Sequence, residues 1–144
     1  AIIRSILVGF ITWLFIYPFS ELYLFSFSIL FIYTILGSIL LALLGFIAGI
    51  WAEKFDNMSG ITNFIITPLT FLSGTFYTID RLPEPFFTIS LFNPFYYIIY
   101  GFRSAFQIDI NHNLVYGITY ISMLNLLLYL LSYYILKKGW MLKP

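Results

Sequence analysis

The chain has 144 residues, of which 61% are hydrophobic and only 9% charged, with a net charge of +1 and no cysteine. A soluble domain carries about 25% charged residues, so this chain cannot coat a water-facing globule, and a mean hydropathy of +0.95 points to lipid as its solvent. The small net charge leaves no electrostatic footprint for nucleic acid, and the lack of cysteine excludes disulfides, thiolate metal sites and thiol nucleophiles.

A membrane-spanning helix needs roughly 20 predominantly apolar residues, and four segments approach that length. Residues 1–17 would give about 25 Å of helix, with Arg4 near one end. The run is short for a complete span and starts inside apolar sequence, which reads as the cut end of a longer chain. No small-residue cleavage site followed by a soluble domain marks a signal peptide. Residues 26–51 form a long uncharged span, residues 58–77 a span decorated with polar groups, and residues 114–136 a clean span that stops at Lys137 and Lys138. If the four simply alternate, Arg4, Lys54, Lys137, Lys138 and Lys143 share one side. Arg81 and Arg103 lie on the other, together with Glu21, Asp80, Glu84 and Asp109. The excess of lysine and arginine predicts that both visible ends and the loop at residues 52–57 are cytoplasmic. Tyr17, Tyr23, Trp51 and Tyr77 fall near the expected interfaces, where amphipathic rings sit well.

Residues 64–106 interrupt themselves repeatedly. Asn63, Thr67, Thr70 and Gly74 recur at i, i+4, i+7 and i+11 and predict one small, polar helical face. Such residues let membrane helices approach closely and hydrogen-bond across the contact. Two readings fit that face: ordinary packing within one subunit, or a translocation path or dimer interface. Pro68 removes one backbone bond in mid-span and predicts a kink. Residues 83–106 are too apolar to float in water and too broken to cross. Pro83 and Pro85 suit a first helical turn, and Asn93 before Pro94 reads as an N-cap with proline at the first helical position. Two short helices that dip in from the outer side and return are expected, because short apolar segments are better read as re-entrant. Irregular backbone at that depth must be buried in protein or line a cavity. Arg103 closes the element. It either snorkels to headgroups or pairs with Asp80 or Glu84 as a latch on the hairpin.

In the second span Gly37, Gly45 and Gly49, including the G-x-x-x-G match "GFIAG", predict close helix packing. There is no Walker loop and so no ATP site of that kind, no intramembrane carboxylate pair for a proton relay, and no metal cluster. His112 is the only histidine and falls in a polar outer turn, where solvation accounts for it. The sequon at Asn57 falls on the cytoplasmic side and is discounted.

The block "GFIAGIWAEKFDNMSGITNFIITPLTFLSGTFYTIDRLPEPFFTISLFNPFYYIIYGFRSAF" resembles the C-terminal half of a bacterial ABC-2 type exporter permease. The matching features occur in order: a glycine-rich span ending in a short charged loop with Phe55-Asp56, a span with "TPLTFLSGTFY", Leu82-Pro83, "FNP" at residues 92–94, "GFR" at residues 101–103, and a last span ending in lysines. The resemblance implies a six-span fold with both ends cytoplasmic, working as a homodimer with two ABC ATPase subunits. ATP is bound on those partners, with no cofactor in this chain. It also implies that Asn63, Thr67 and Thr70 line the central path or dimer contact, and that Pro83, Asn93, Pro94 and Arg103 belong to a re-entrant outer gate. The chain would then cover spans three to six and lack the amino-terminal helix, the first two spans and the coupling helix on which the ATPase acts. The expected fold is all-α integral membrane, with four transmembrane helices and a re-entrant helical hairpin. The expected role is a non-enzymatic permease subunit in the inner membrane, exporting drug-like or lipid or polysaccharide substrates. Its partners would be membrane lipid, the ATPase and a second permease, with no nucleic acid. The alternative is a non-transporting four-span structural protein, or a decayed remnant of a permease.

Overall fold

The computed structural model describes residues 2–19, 24–52, 55–75, 83–106 and 113–138. Helix α1 (Ile2–Ile16) tightens into a 3-10 turn at Tyr17–Phe19, where Pro18 lacks the amide that a further α-turn would need. Helix α2 (Phe27–Trp51) begins at Ser26, whose hydroxyl accepts from the Ile29 amide at 3.4 Å, satisfying one orphan donor of the first turn. Helix α3 (Phe55–Ile61), a π-helical stretch (Thr62–Ile66) and helix α4 (Thr67–Phe71) then follow without a gap. Helices α5 (Phe86–Phe92) and α6 (Pro94–Ser104) meet at Asn93, and α7 (Asn113–Lys138) closes the described chain.

Among the described residues, three helical segments, residues 2–19, 27–51 and 114–138, are long and apolar enough to cross a membrane. The expected third span differs from its sequence reading. The run 55–71 is about 17 residues, roughly 25 Å, and it stops at Phe71 instead of continuing towards Tyr77. Two local features end it. Gly74 takes φ 78, a left-handed conformation that suits glycine. The hydroxyls of Ser73 and Thr75 both turn back to the Thr70 carbonyl, which the Ser73 amide also bonds at 3.2 Å, so the chain closes into a turn there.

The core forms where α2, α6 and α7 pack together, around Tyr33, Leu40, Tyr97, Leu114 and Ile121. On α7 the buried positions Leu114, Gly117, Ile121 and Asn125 recur every three or four residues, as one helical face must. Glycines bring these helices together. A Cβ on Gly101 would lie 2.2 Å from the Tyr33 ring, and one on Gly37 would lie 3.0 Å from Ile98. The Tyr33 hydroxyl donates to the Leu114 carbonyl at 2.8 Å, and the Asn125 amide donates to the Leu36 carbonyl at 3.0 Å, so polar bonds cross the α2–α7 contact at two levels. By contrast α1 has no buried residue, and it meets α2 through a Ser5–Ser38 hydroxyl pair at 2.6 Å. Large apolar side chains such as Phe64 and Met123, 84% and 75% exposed, are what a lipid-facing surface presents.

Helix α6 runs antiparallel to α2. Ile98 faces Gly37, Gly101 faces Tyr33, and the Ala105 carbonyl accepts from the amides of Phe25 and Ser26 at 2.8 and 3.1 Å. Stepping back from Ile98 to Asn93 at about 1.5 Å per residue places the α5–α6 break level with the middle of α2, far from either of its ends.

Candidate functional site: a backbone break where four helices meet

Asn93 is 2% exposed and has two distinct polar jobs. Its side-chain oxygen accepts from the Phe95 amide at 3.0 Å, capping α6, while Pro94 occupies the first helical turn, where its missing N–H costs nothing. Its side-chain nitrogen donates to the Leu69 carbonyl on α4. One asparagine thus starts α6 and ties it to the neighbouring helix. The last carbonyls of α5 are served from elsewhere: the Tyr97 hydroxyl donates to the Leu91 carbonyl at 2.9 Å, and the Tyr120 hydroxyl donates to the Phe92 carbonyl at 2.7 Å. Helices α4, α5, α6 and α7 therefore converge on a single interruption. Sequence reasoning singled out Asn93 and Pro94 but missed Tyr97 and Tyr120. The available signal was a phenol within an apolar helix, whose hydroxyl needs a partner when buried.

Pro83 lies just ahead of α5, and its carbonyl accepts from the amides of Phe86 and Phe87. The helix itself begins at Phe86 with Pro85 at the N-cap, so both prolines precede the first turn they were expected to occupy. Arg103 donates to the Gly74 carbonyl at 3.2 Å. Glu84, one of its two expected partners, instead accepts from the Thr88 hydroxyl at 2.7 Å. The other, Asp80, lies outside the described residues, as do Glu21, Tyr23, Lys54, Tyr77, Arg81, Leu82, Asp109, His112 and Lys143. Arg103 thus ties the end of α6, through a backbone acceptor, to the turn that ends the preceding helical run.

The expected polar face of that run is divided. Instead of a simple kink, the helix answers Pro68 with a π turn: the Thr67 amide bonds to the Thr62 carbonyl, five residues back. Widening the turn relieves the clash between the proline ring and the carbonyl four residues earlier. A π turn inserts one residue into the helical repeat, which rotates whatever precedes it by about 100°. The residues ahead of the turn are thereby put out of register with Thr67 and Thr70, while Asn63 lies inside the turn itself. Asn63 and Thr67 are exposed and Thr70 is half-buried. The Thr67 hydroxyl donates to Thr62 O at 2.9 Å and the Thr70 hydroxyl to Ile66 O at 2.8 Å. Gly74 is not on the helix at all; it is the buried left-handed turn that accepts from Arg103.

The glycines of α2 also separate. Gly37 packs on Ile98, but a Cβ on Gly45 or Gly49 would meet nothing within 4 Å among the described residues. Among the described residues the packed face of α2 follows Tyr33, Gly37 and Leu40, and the G-x-x-x-G pair meets no neighbouring helix. No group of three or more metal-ligating side chains occurs among the described residues.

Long apolar helices, a lipid-suited exterior and a polar-capped break at mid-helix depth define a class: a multi-pass, all-helical membrane protein. The chain belongs to the ABC-2 type transporter family, which residues 1–106 match. It is 40% identical over 72 residues to the inner membrane transport permease YadH of Escherichia coli K12, and to the same permease from Escherichia coli O157:H7 and Shigella flexneri. Those alignments cover 50% of this chain and 28% of each relative. No solved structure matches it.

Proposed function

We propose that this chain contributes the membrane path of an ATP-driven exporter, as part of the permease subunit of an ABC-2 system in the inner membrane. In this reading α1, α2, the run 55–71 and α7 cross the membrane with both visible ends cytoplasmic. The α5–α6 hairpin enters from the outer side and shapes an outer gate through Asn93, Pro94 and Arg103. A second permease copy packs beside the run 55–71, and an ABC ATPase partner supplies hydrolysis.

The observation that carries the reading is the exposed polar strip of Asn63 and Thr67 at a π turn. Polar side chains within the membrane normally face a partner or a water-filled cavity, and π turns recur at functional sites. The surroundings are apolar and aromatic, which suits amphipathic drugs or lipid-linked glycans. The test is export by the complete permease with its ATPase. Thr67→Trp should abolish export while membrane insertion and ATPase association persist. Export at the unsubstituted level would remove Thr67 from the path. A permease that never co-purifies with a P-loop ATPase would favour a structural role over transport.

A further inference from the structure

The α5–α6 break places acceptors at a depth where lipid cannot satisfy them. Helix α5 ends at Phe92, so the carbonyls of its last turn lack intrahelical partners, and at the level of the middle of α2 water is not on hand to replace them. Two tyrosines supply the bonds, and they differ in one respect. Tyr97 belongs to the hairpin itself, is 5% exposed, and reaches back six residues to Leu91. It travels with the hairpin. Tyr120 stands on α7, is only half-buried, and reaches across to Phe92. Its bond must break whenever the hairpin moves against α7. The Tyr120 ring is held independently of its hydroxyl, stacked on Tyr116 at 13° and 6.4 Å and tilted on Tyr97 at 5.0 Å.

We propose that the Tyr120 hydroxyl is a latch through which α7 holds the α5–α6 hairpin closed, with Tyr97 as the fixed cap inside the hairpin. Tyr120 is on this view a positioning residue: it sets how often the tip of the hairpin separates from α7. Without the hydroxyl, the Phe92 carbonyl has no other partner among the described residues in the closed position and gains one only when the tip meets water. Removing one oxygen therefore favours the open position. The inference rests on the reading that the hairpin enters from the outer side, and its test separates the two.

The test uses full-length permease freed of cysteines, in sealed right-side-out vesicles, with a membrane-impermeant thiol reagent. Ser90 is fully buried on α5, so S90C reports opening, while Phe86, 47% exposed at the start of α5, reports sidedness as F86C. With Tyr120 present, S90C should react slowly. Y120F should accelerate it roughly tenfold, equivalent to about 1.4 kcal/mol and within the range of a net hydrogen bond. Y116F, which keeps the Tyr120 hydroxyl, should leave the rate alone. Equal S90C rates with tyrosine and phenylalanine at position 120 would overturn the latch. So would an equal acceleration at S38C, on the packed face of α2, because that reports general loosening. Labelling of F86C only from the cytoplasmic side would refute the outer orientation, whereas outside labelling of F86C with no Tyr120 dependence at S90C would refute the latch alone.

Discussion

Gly101→Ala is the substitution to which the packing is most exposed. The added methyl would sit 2.2–2.4 Å from three atoms of the Tyr33 ring, well inside the ~3.5 Å of carbon–carbon contact. Tyr33 cannot swing clear: it is fully buried, and its hydroxyl is anchored to Leu114 O. Helix α6 must therefore back away from α2 by about 1 Å or more, or the ring must leave its site. Overpacking of this kind costs about 1–3 kcal/mol, and losing the hydroxyl bond adds about 0.5–1.5 kcal/mol. Alanine returns up to about 1 kcal/mol of helix propensity. The net is a destabilisation of about 1–3 kcal/mol. It would be read as a lower midpoint in denaturant or heat for the full-length protein in detergent. The coupling is testable as a cycle with Tyr33→Leu: once the ring is gone, Gly101→Ala should cost little, giving an interaction energy of about 1 kcal/mol or more. Gly45→Ala, whose methyl enters open space, is the control and should not lower the midpoint. If Gly101→Ala is neutral, or if the two substitutions add without coupling, the close approach of α6 to α2 is wrong.

Gly74→Ala forces a left-handed φ of 78 on a side-chain-bearing residue, at a cost of about 1–2 kcal/mol. Gly74→Asn should lose less, since asparagine tolerates that conformation, and the ranking of the two midpoints checks the turn. Asn93→Ala removes both the α6 cap and the tie to Leu69 and should lower stability by about 1–3 kcal/mol. Asn93→Ser keeps a capping oxygen and should recover part of the loss, which the same melts would show. Pro68→Ala restores the backbone donor and removes the ring clash. The π turn should then relax towards α-helix, rotating the residues ahead of the turn by about 100° relative to Thr70. Cysteine accessibility scanned across residues 60–71 should shift its period, and an unchanged pattern would mean that Pro68 does not cause the turn.

Where helices start and stop was largely legible, because it depends on short-range chemistry. Asn93-Pro94 announces a cap, and Lys137-Lys138 the end of α7. The π turn was not legible in detail: Pro68 reveals a disturbance, but whether a helix kinks or widens depends on its surroundings. Glycines were misread for a related reason. The G-x-x-x-G spacing drew attention to Gly45 and Gly49, where an added Cβ would meet nothing within 4 Å among the described residues, whereas Gly101 and Gly117 lie against Tyr33 and carry the close approach. A glycine's role is set by what faces it, and a motif read along one helix says nothing about the partner. Tyr97 and Tyr120 escaped for the converse reason: each acts on a carbonyl that exists as an open acceptor only because α5 ends at Phe92.

Many of the polar side chains of so apolar a chain are placed where its backbone is interrupted. The Thr67 hydroxyl bonds beside Pro68, Ser73 and Thr75 close the end of α4, Asn93 starts α6, Tyr97 and Tyr120 close α5, and Arg103 binds the glycine turn. In lipid each open backbone group would cost several kcal/mol, so a sequence with these breaks but without those side chains would be driven towards uninterrupted helix. That correspondence argues that the breaks are selected features of the fold. It also predicts where movement is easiest. A hydroxyl bond between side chain and backbone can be exchanged for one to water at little net cost, whereas a helical ladder bond cannot be released without its neighbours. The π turn and the α5–α6 break are accordingly where, in the proposed role, the chain can change shape without unwinding the helices that hold it in the membrane.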